Sequence, residues 1–236
     1  MKTIIKSGLA ALVLLLAISC KKENSTIKSL PANDNSSTEA LSTDIDRPAR
    51  DTIRIGTQVW RSINLNLSRY RNGDKIPQVK DAAAWAALTT GAWCYYNNDP
   101  ATGAIYGKLY NWYAVHDPRG LAPAGWHVPS DAEWTILTNY LGGEAVAGGK
   151  MKETGTTHWI APNTDATNSS GFTGLPGGFR FGNGTFGSIG YSGYWWSSTE
   201  NNTNDAWFRY LYYGNGYIYR SLNYKRYGFS VRCLRN

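Results

Sequence analysis

Three histidines are the first residues to weigh as catalysts: His116, His127 in GWHVPSDAEW, and His158 beside Trp159. A histidine base needs a nucleophile or carboxylate brought to its side. No nucleophile elbow, HExxH helix or P-loop accompanies these three. Taken singly, each reads as a packed or hydrogen-bonded imidazole; a Ser-His-Asp set assembled across the fold stays open. Glycoside hydrolysis needs two opposed carboxylates. Of the twelve acids after residue 50, only Glu200 and Asp205 lie near an aromatic stretch. In TENNTND they read as a turn or a cation site rather than an acid/base pair.

The same segment supplies oxygen ligands of the kind calcium takes: Glu200, Asn202 and Asp205, with Asn201 and Asn204 between them. Asn97-Asn98-Asp99 and Asn163-Thr164-Asp165 are similar clusters. Asn and Asp are also ordinary turn residues, and both readings stand. Immediately before lies GYWW. In a strand, consecutive side chains point to opposite faces, so Trp195 and Trp196 divide between two surroundings. Trp195 is expected in the core, and Trp196 points the other way, into a second layer or onto the surface, with the surface favoured. There Trp196, with Tyr194, Glu200 and Asn202, would form a stacking ring beside hydrogen-bonding groups, the build of a carbohydrate contact. The chain holds ten Trp, sixteen Tyr and six Phe, more than one core easily hides. Tyr210, Tyr212, Tyr217 and Tyr219 fall on more than one face of their segment, so some should meet solvent.

The N-terminus predicts export. Lys2 and Lys6 precede an apolar run, Leu9 to Ile18, too short to span a bilayer. Leu16-Ala17-Ile18-Ser19-Cys20 resembles a loose bacterial lipobox of the Bacteroidetes lipoprotein kind. It implies a signal peptide over 1–19, acylation of Cys20 (a palmitate-type anchor) and a membrane partner through that lipid. Lys21 after the cysteine implies the outer membrane or cell surface. Residues 20–50 carry no aromatic residue and balanced charge, the composition of a disordered tether. The formal charge of +7 falls to +5 without Lys2 and Lys6. The basic residues are scattered, which argues against nucleic acid as a partner.

The elements that must position these groups begin with a hairpin over Thr52 to Leu65. A helix follows over 81–90, N-capped by Asp81, then a strand over 92–96 and a helix over 106–115. SDAEWTILTNYLGG, from Ser130 to Gly143, is the clearest helix, with Ser130 and Glu133 as a capping box. Residues 150–190 read as loop. Strands over 206–213, 217–224 and 229–235 read as a three-stranded meander. The class is α+β: two or three short helices, twisted antiparallel sheets and long loops. Cys94 and Cys233, in an oxidising compartment, are either bridged or a pair of buried thiols, with the disulfide favoured.

Six stretches in order, IGTQVW (55–60), YYNNDPATGAIYGKLYNWYAV (95–115), GLAPAGWHVPSDAEW (120–134), GFTGLPGG (171–178), GYWWSSTE (193–200) and GFSVRCLRN (228–236), resemble the Fibrobacter succinogenes major paralogous domain. The resemblance spans 51–236 and implies a module of exported bacterial proteins, related to the C-type lectin-like fold. Copper-using oxidases of that fold need a close cysteine pair near the C-terminal end, and only Cys233 lies there. The expectation is a lipid-anchored, non-catalytic surface module for polysaccharide or another surface macromolecule, without a cofactor unless calcium binds. The alternatives are a structural or adhesion component with a protein partner, and an unrecognised hydrolase.

Overall fold

The computed structural model describes residues 51–236. The expected signal peptide, lipidated Cys20 and tether lie outside the described residues. Among the described residues no helix is long and apolar enough to cross a membrane.

The opening hairpin forms as predicted. Strands β1 (Thr52–Ile55) and β2 (Gln58–Arg61) turn at Gly56, whose positive φ of 60° suits a residue without a side chain. Helix α1 (Ala82–Ala86) is shorter than expected, but Asp81 caps it, its carboxylate accepting from the Ala84 N–H at 2.7 Å. Strand β3 (Trp93–Cys94) follows. The single helix expected over 106–115 is instead three elements: α2 (Pro100–Tyr106), strand β4 (Leu109–Tyr110) and α3 (Trp112–Val115). Gly107 leaves α2 at φ 76°, and Asn111 restarts the chain by capping α3 at the Ala114 N–H. Apolar spacing alone does not register such breaks.

Strand β5 (Trp126–His127) leads to α4 (Asp131–Tyr140), where the capping box closes from both sides. Helix α5 (Glu144–Met151) was not foreseen, and the stretch read as loop contains β6 (Gly177–Arg180) and β7 (Phe186–Ile189). Strands β8 (Ser192–Glu200), β9 (Asp205–Tyr212) and β10 (Ile218–Tyr224) are the longest, and β11 (Leu234–Arg235) ends the chain. The five-stranded sheet runs β10-β9-β8-β6-β7, antiparallel except between β6 and β8. The second sheet runs β1-β2-β11-β5, so the first and last strands share it; β3 and β4 form a separate pair. The protein is therefore α+β, with five short helices among the described residues.

The expected meander is corrected. Residues 229–235 do not join β10; β8 takes the third place beside β9. Ser230 bridges to Trp195, and Leu234 pairs with Trp60 and His127. Alternation at Phe229, Val231 and Cys233 identified an extended segment correctly, but alternation does not name the neighbour. This segment threads between the two sheets, and Arg232, which points the other way, is buried as well.

Long irregular segments are held by buried cations that donate to backbone carbonyls. Lys152 Nζ donates to the carbonyls of Thr164, Tyr212 and Asn215 at 2.7, 3.1 and 2.8 Å. Arg180 reaches the carbonyls of Val79, Lys80 and Gly184, and Arg232 those of Arg61 and Phe172. All three side chains are fully buried. Burial without a contacting carboxylate lowers the pKa of Lys152 to about 8 and that of Arg232 below the ordinary guanidinium value. Each cation supplies several donors to loop carbonyls that neither helix nor sheet can pair.

Candidate binding face

Strand β8 separates two cores. Trp195, 1 % exposed, packs on one side with Trp60, Trp134, Phe172 and Leu211; Trp196, 0 % exposed, packs on the other with Trp112, Phe208, Phe229 and Val231. The surface position expected for Trp196 is thus overturned. The sheet is covered on both faces here, so alternation sends the two indoles into different interiors. Trp195 Nε1 donates to Asn64 Oδ1, and Trp196 Nε1 to the Tyr110 carbonyl, both at 2.9 Å.

Tyr194, from the same expected site, is half-buried and belongs to a different group. Tyr194 on β8 lies opposite Tyr210 on β9, and Tyr210 lies opposite Tyr219 on β10. Their rings stack across the strands at 5.6 Å and 21°, then 4.5 Å and 8°. The exposed Tyr217 stacks on Tyr219 at 5.8 Å, and Phe229 closes the inner end against Tyr194 at 5.3 Å. All three strands must be in register for such a row, since direct cross-strand partners share a face. Rings stacked along the sheet spend their faces on one another. Their edges and hydroxyls are what they offer a ligand. Burial, followed by the neighbouring Tyr219 and Tyr194, raises the Tyr210 phenol pKa, and a phenol hydroxyl acts as both donor and acceptor. Asn215 Nδ2 donates to the Tyr219 hydroxyl at 2.8 Å and fixes that end. Alternation names Tyr210 and Tyr219 among the tyrosines expected to meet solvent, but only strand register assembles them into a row with Tyr194.

The other expected ligands serve the fold. Glu200 accepts from Lys225 Nζ, which also donates to the Thr203 carbonyl and lies over the Trp112 ring. Asn202 Oδ1 accepts from the Asn204 and Asp205 N–H groups at 2.8 and 3.0 Å, while its Nδ2 donates to Asp205 at 3.2 Å. Of the oxygens considered for calcium, Glu200 is thus paired with Lys225 just past β10, and Asn202 and Asp205 are bonded to each other within the β8–β9 turn. Among the described residues no group of three His, Cys, Asp or Glu side chains is placed to hold a metal ion. Asp99 and Asn98 are likewise local: Asp99 caps α2, and Asn98 Nδ2 donates to the Lys80 carbonyl.

Cys94 and Cys233 are free thiols, which corrects the favoured disulfide. They lie in different clusters, Cys94 with Trp85, Tyr96 and Leu109, Cys233 with Trp196 and Val231. Burial raises each thiol pKa to about 12, so both are inert hydrophobes. The histidines are tied to side chains of the fold. His127 contacts Glu133 at 2.9 Å and Asn236 at 2.7 Å, His158 contacts Glu153 at 2.8 Å, and His116 stacks on Trp112 at 4.6 Å.

An α+β domain with two larger sheets, a separate two-stranded pair, carbonyl-clamped loops and one stacked aromatic row is the class defined so far. The chain belongs to the Fibrobacter succinogenes major domain family, whose model matches residues 53–235. No curated protein and no solved structure matches it.

Proposed function

We propose that this domain is the non-catalytic binding module of an exported, lipid-anchored protein of the outer membrane or cell surface, and that it binds polysaccharide at the tyrosine row. The observation that carries this reading is the stacked, half-buried row Tyr194–Tyr210–Tyr219, closed by Phe229 inside and extended by Tyr217 outside. A line of phenol hydroxyls along the sheet matches the repeated hydroxyls of a glycan, and the open edge of Tyr217 adds apolar contact. Kinship with the C-type lectin-like fold is part of the same proposal. Supporting it are the long loops and the shared sheet of the first and last strands.

The test is affinity of the mature chain for a polysaccharide panel, with calcium and with EDTA. Tyr210→Phe keeps the stack and removes one hydroxyl, so a bound glycan should weaken about fivefold, the worth of one hydrogen bond near 1 kcal/mol. Tyr219→Ala should weaken it further, and Tyr140→Ala, on the exposed side of α4, should leave it unchanged. Failure of every glycan to bind, or equal binding by all three variants, would sink this site.

A further inference from the structure

Strand β10 is the edge of the five-stranded sheet, and among the described residues no further strand pairs with its outer side. Natural edges are blocked by lysines, prolines, bulges or a covering element. The strand IYRSLNY has no lysine and no proline, and it pairs with β9 in unbroken register over seven residues. Its one cation, Arg220, is turned back onto Asp131 at 2.9 Å and lies over Trp207 at 3.4 Å. Leu222 and Tyr224 remain 38 % and 57 % exposed.

The backbone pattern says which residues face outward. The Lys225 N–H donates to the Asn204 carbonyl, so by alternation Tyr219, Ser221 and Asn223 direct their backbone groups to β9. Arg220, Leu222 and Tyr224 direct theirs away from it. The two ends of the strand are occupied. Helix α5 packs so closely on the beginning that a Cβ on Gly148 would lie 2.0 Å from the Tyr217 carbonyl oxygen, and Lys225 bonds to Trp112 and Asn204. The open stretch is therefore Arg220 to Tyr224, with Leu222 at its centre.

We propose that this edge pairs with the same edge of a second copy, antiparallel, about a two-fold axis at Leu222. The stretch is self-complementary in that register. Leu222 meets Leu222 of the second copy and exchanges two backbone hydrogen bonds with it. Arg220, already flat on Trp207, meets Tyr224 of the second copy, a cation–aromatic contact. The register keeps each side chain on its own face, as a two-fold perpendicular to the sheet requires. Shifting the axis to Arg220 would oppose two guanidinium groups and run the strand into α5. The Tyr224 N–H, held locally by Asn223 Oδ1 at 2.9 Å, exchanges that bond for a carbonyl of the second copy. The pairing does not depend on what the tyrosine row binds.

The test is the full-length chain carrying Leu222→Cys, mildly oxidised and run on a non-reducing gel. Cys20→Ser is carried in every protein tested, so the native thiols left are those at 94 and 233, which are buried and stay silent. A disulfide dimer is expected, with Tyr140→Cys as an exposed control that remains monomeric. Leu222→Lys and Leu222→Glu should each abolish self-association in sedimentation, and a mixture of the two should restore a dimer. The thermal midpoint of each variant confirms folding. Folded Leu222→Cys that stays monomeric, equal cross-linking by Tyr140→Cys, or a dimer unaffected by Leu222→Lys would overturn the proposal.

Discussion

Trp195 and Trp196, adjacent in the chain, donate their indole N–H groups in opposite directions across one strand, to Asn64 and to the Tyr110 carbonyl. Each indole is the hub of its own core. Trp195 meets Phe172 edge-on at 5.8 Å, and Trp196 meets Phe229 at 4.3 Å. Either replacement by alanine should cost about 3–5 kcal/mol, the usual range for a large buried aromatic. Urea unfolding of both variants checks this, and a loss below about 1 kcal/mol at either position would contradict its burial. Binding lost in Trp196→Ala therefore reports on folding, whereas the tyrosine variants report on the face.

Cys94 and Cys233 should both be unreactive toward a thiol reagent in the native protein. Both should be titratable in denaturant without any reductant. Desolvation keeps the thiols protonated, and no reagent reaches them until the cores open. A count of zero in denaturant would mean a bridge, against the separate clusters in which the two residues sit.

Local chemistry was the legible part of the fold. Asp81 and the Ser130–Glu133 box announced their helices because a cap is decided within four residues. The hairpin of β1 and β2 and the pairing of β9 with β10 were legible for the same reason. What escaped was partnership at a distance. Phe229 to Arg235 reads as a strand, yet nothing in its alternation tells that it leaves β10 and threads to β2 and β5. Alternation sends Trp196 to the face opposite Trp195 but does not tell a second layer from the surface; the surface is the favoured reading, and here both faces are dry. The tyrosine row depends on three strands in register, a relation that no single segment contains. Glu200 and Asn202 carried ligand-like chemistry, but Glu200 is taken up by Lys225 and Asn202 by its own turn.

Lys152 gives the stability a recognisable pH dependence. Burial holds its pKa at about 8, below the ordinary lysine value of 10.5. The unfolded chain therefore binds the proton more tightly, and from this group stability rises as pH passes from 8 toward 10.5. The buried thiols act oppositely. Their pKa is raised above the unfolded value of 9.0, so their contribution falls as pH rises through 9. Between pH 8 and 9.5 the Lys152 contribution grows by about 1.5 kcal/mol at 1.36 kcal/mol per unit. The stability of the parent relative to Lys152→Met, read from urea midpoints, should therefore rise by about that amount across the range, the other buried groups being common to both proteins. Parallel curves for the two proteins would mean that Lys152 does not titrate there.

Asp131 joins α4 to the sheet, and its removal should separate a buried contribution from an exposed one. Its carboxylate takes Arg209 Nη1 at 2.6 Å and Arg220 Nη2 at 2.9 Å. Arg209 is almost fully buried, whereas the Arg220 side chain is about one-third exposed. Asp131→Asn leaves the Arg209 guanidinium buried without its counter-charge and should cost roughly 3 kcal/mol. Arg220→Ala removes the exposed partner and should cost about 1 kcal/mol or less. Burial alone would raise the Asp131 pKa, but the bonds from Arg220 and Arg209 outweigh it and hold the carboxyl below its ordinary 3.8. A depressed carboxyl contributes stability above the unfolded value and loses it as pH falls through the folded one. The parent should therefore converge on Asp131→Asn as pH falls below the ordinary carboxyl value of 3.8, the difference between their urea midpoints shrinking with acid. A difference that stays constant over that fall would show that the aspartate acts through packing and not through its charge.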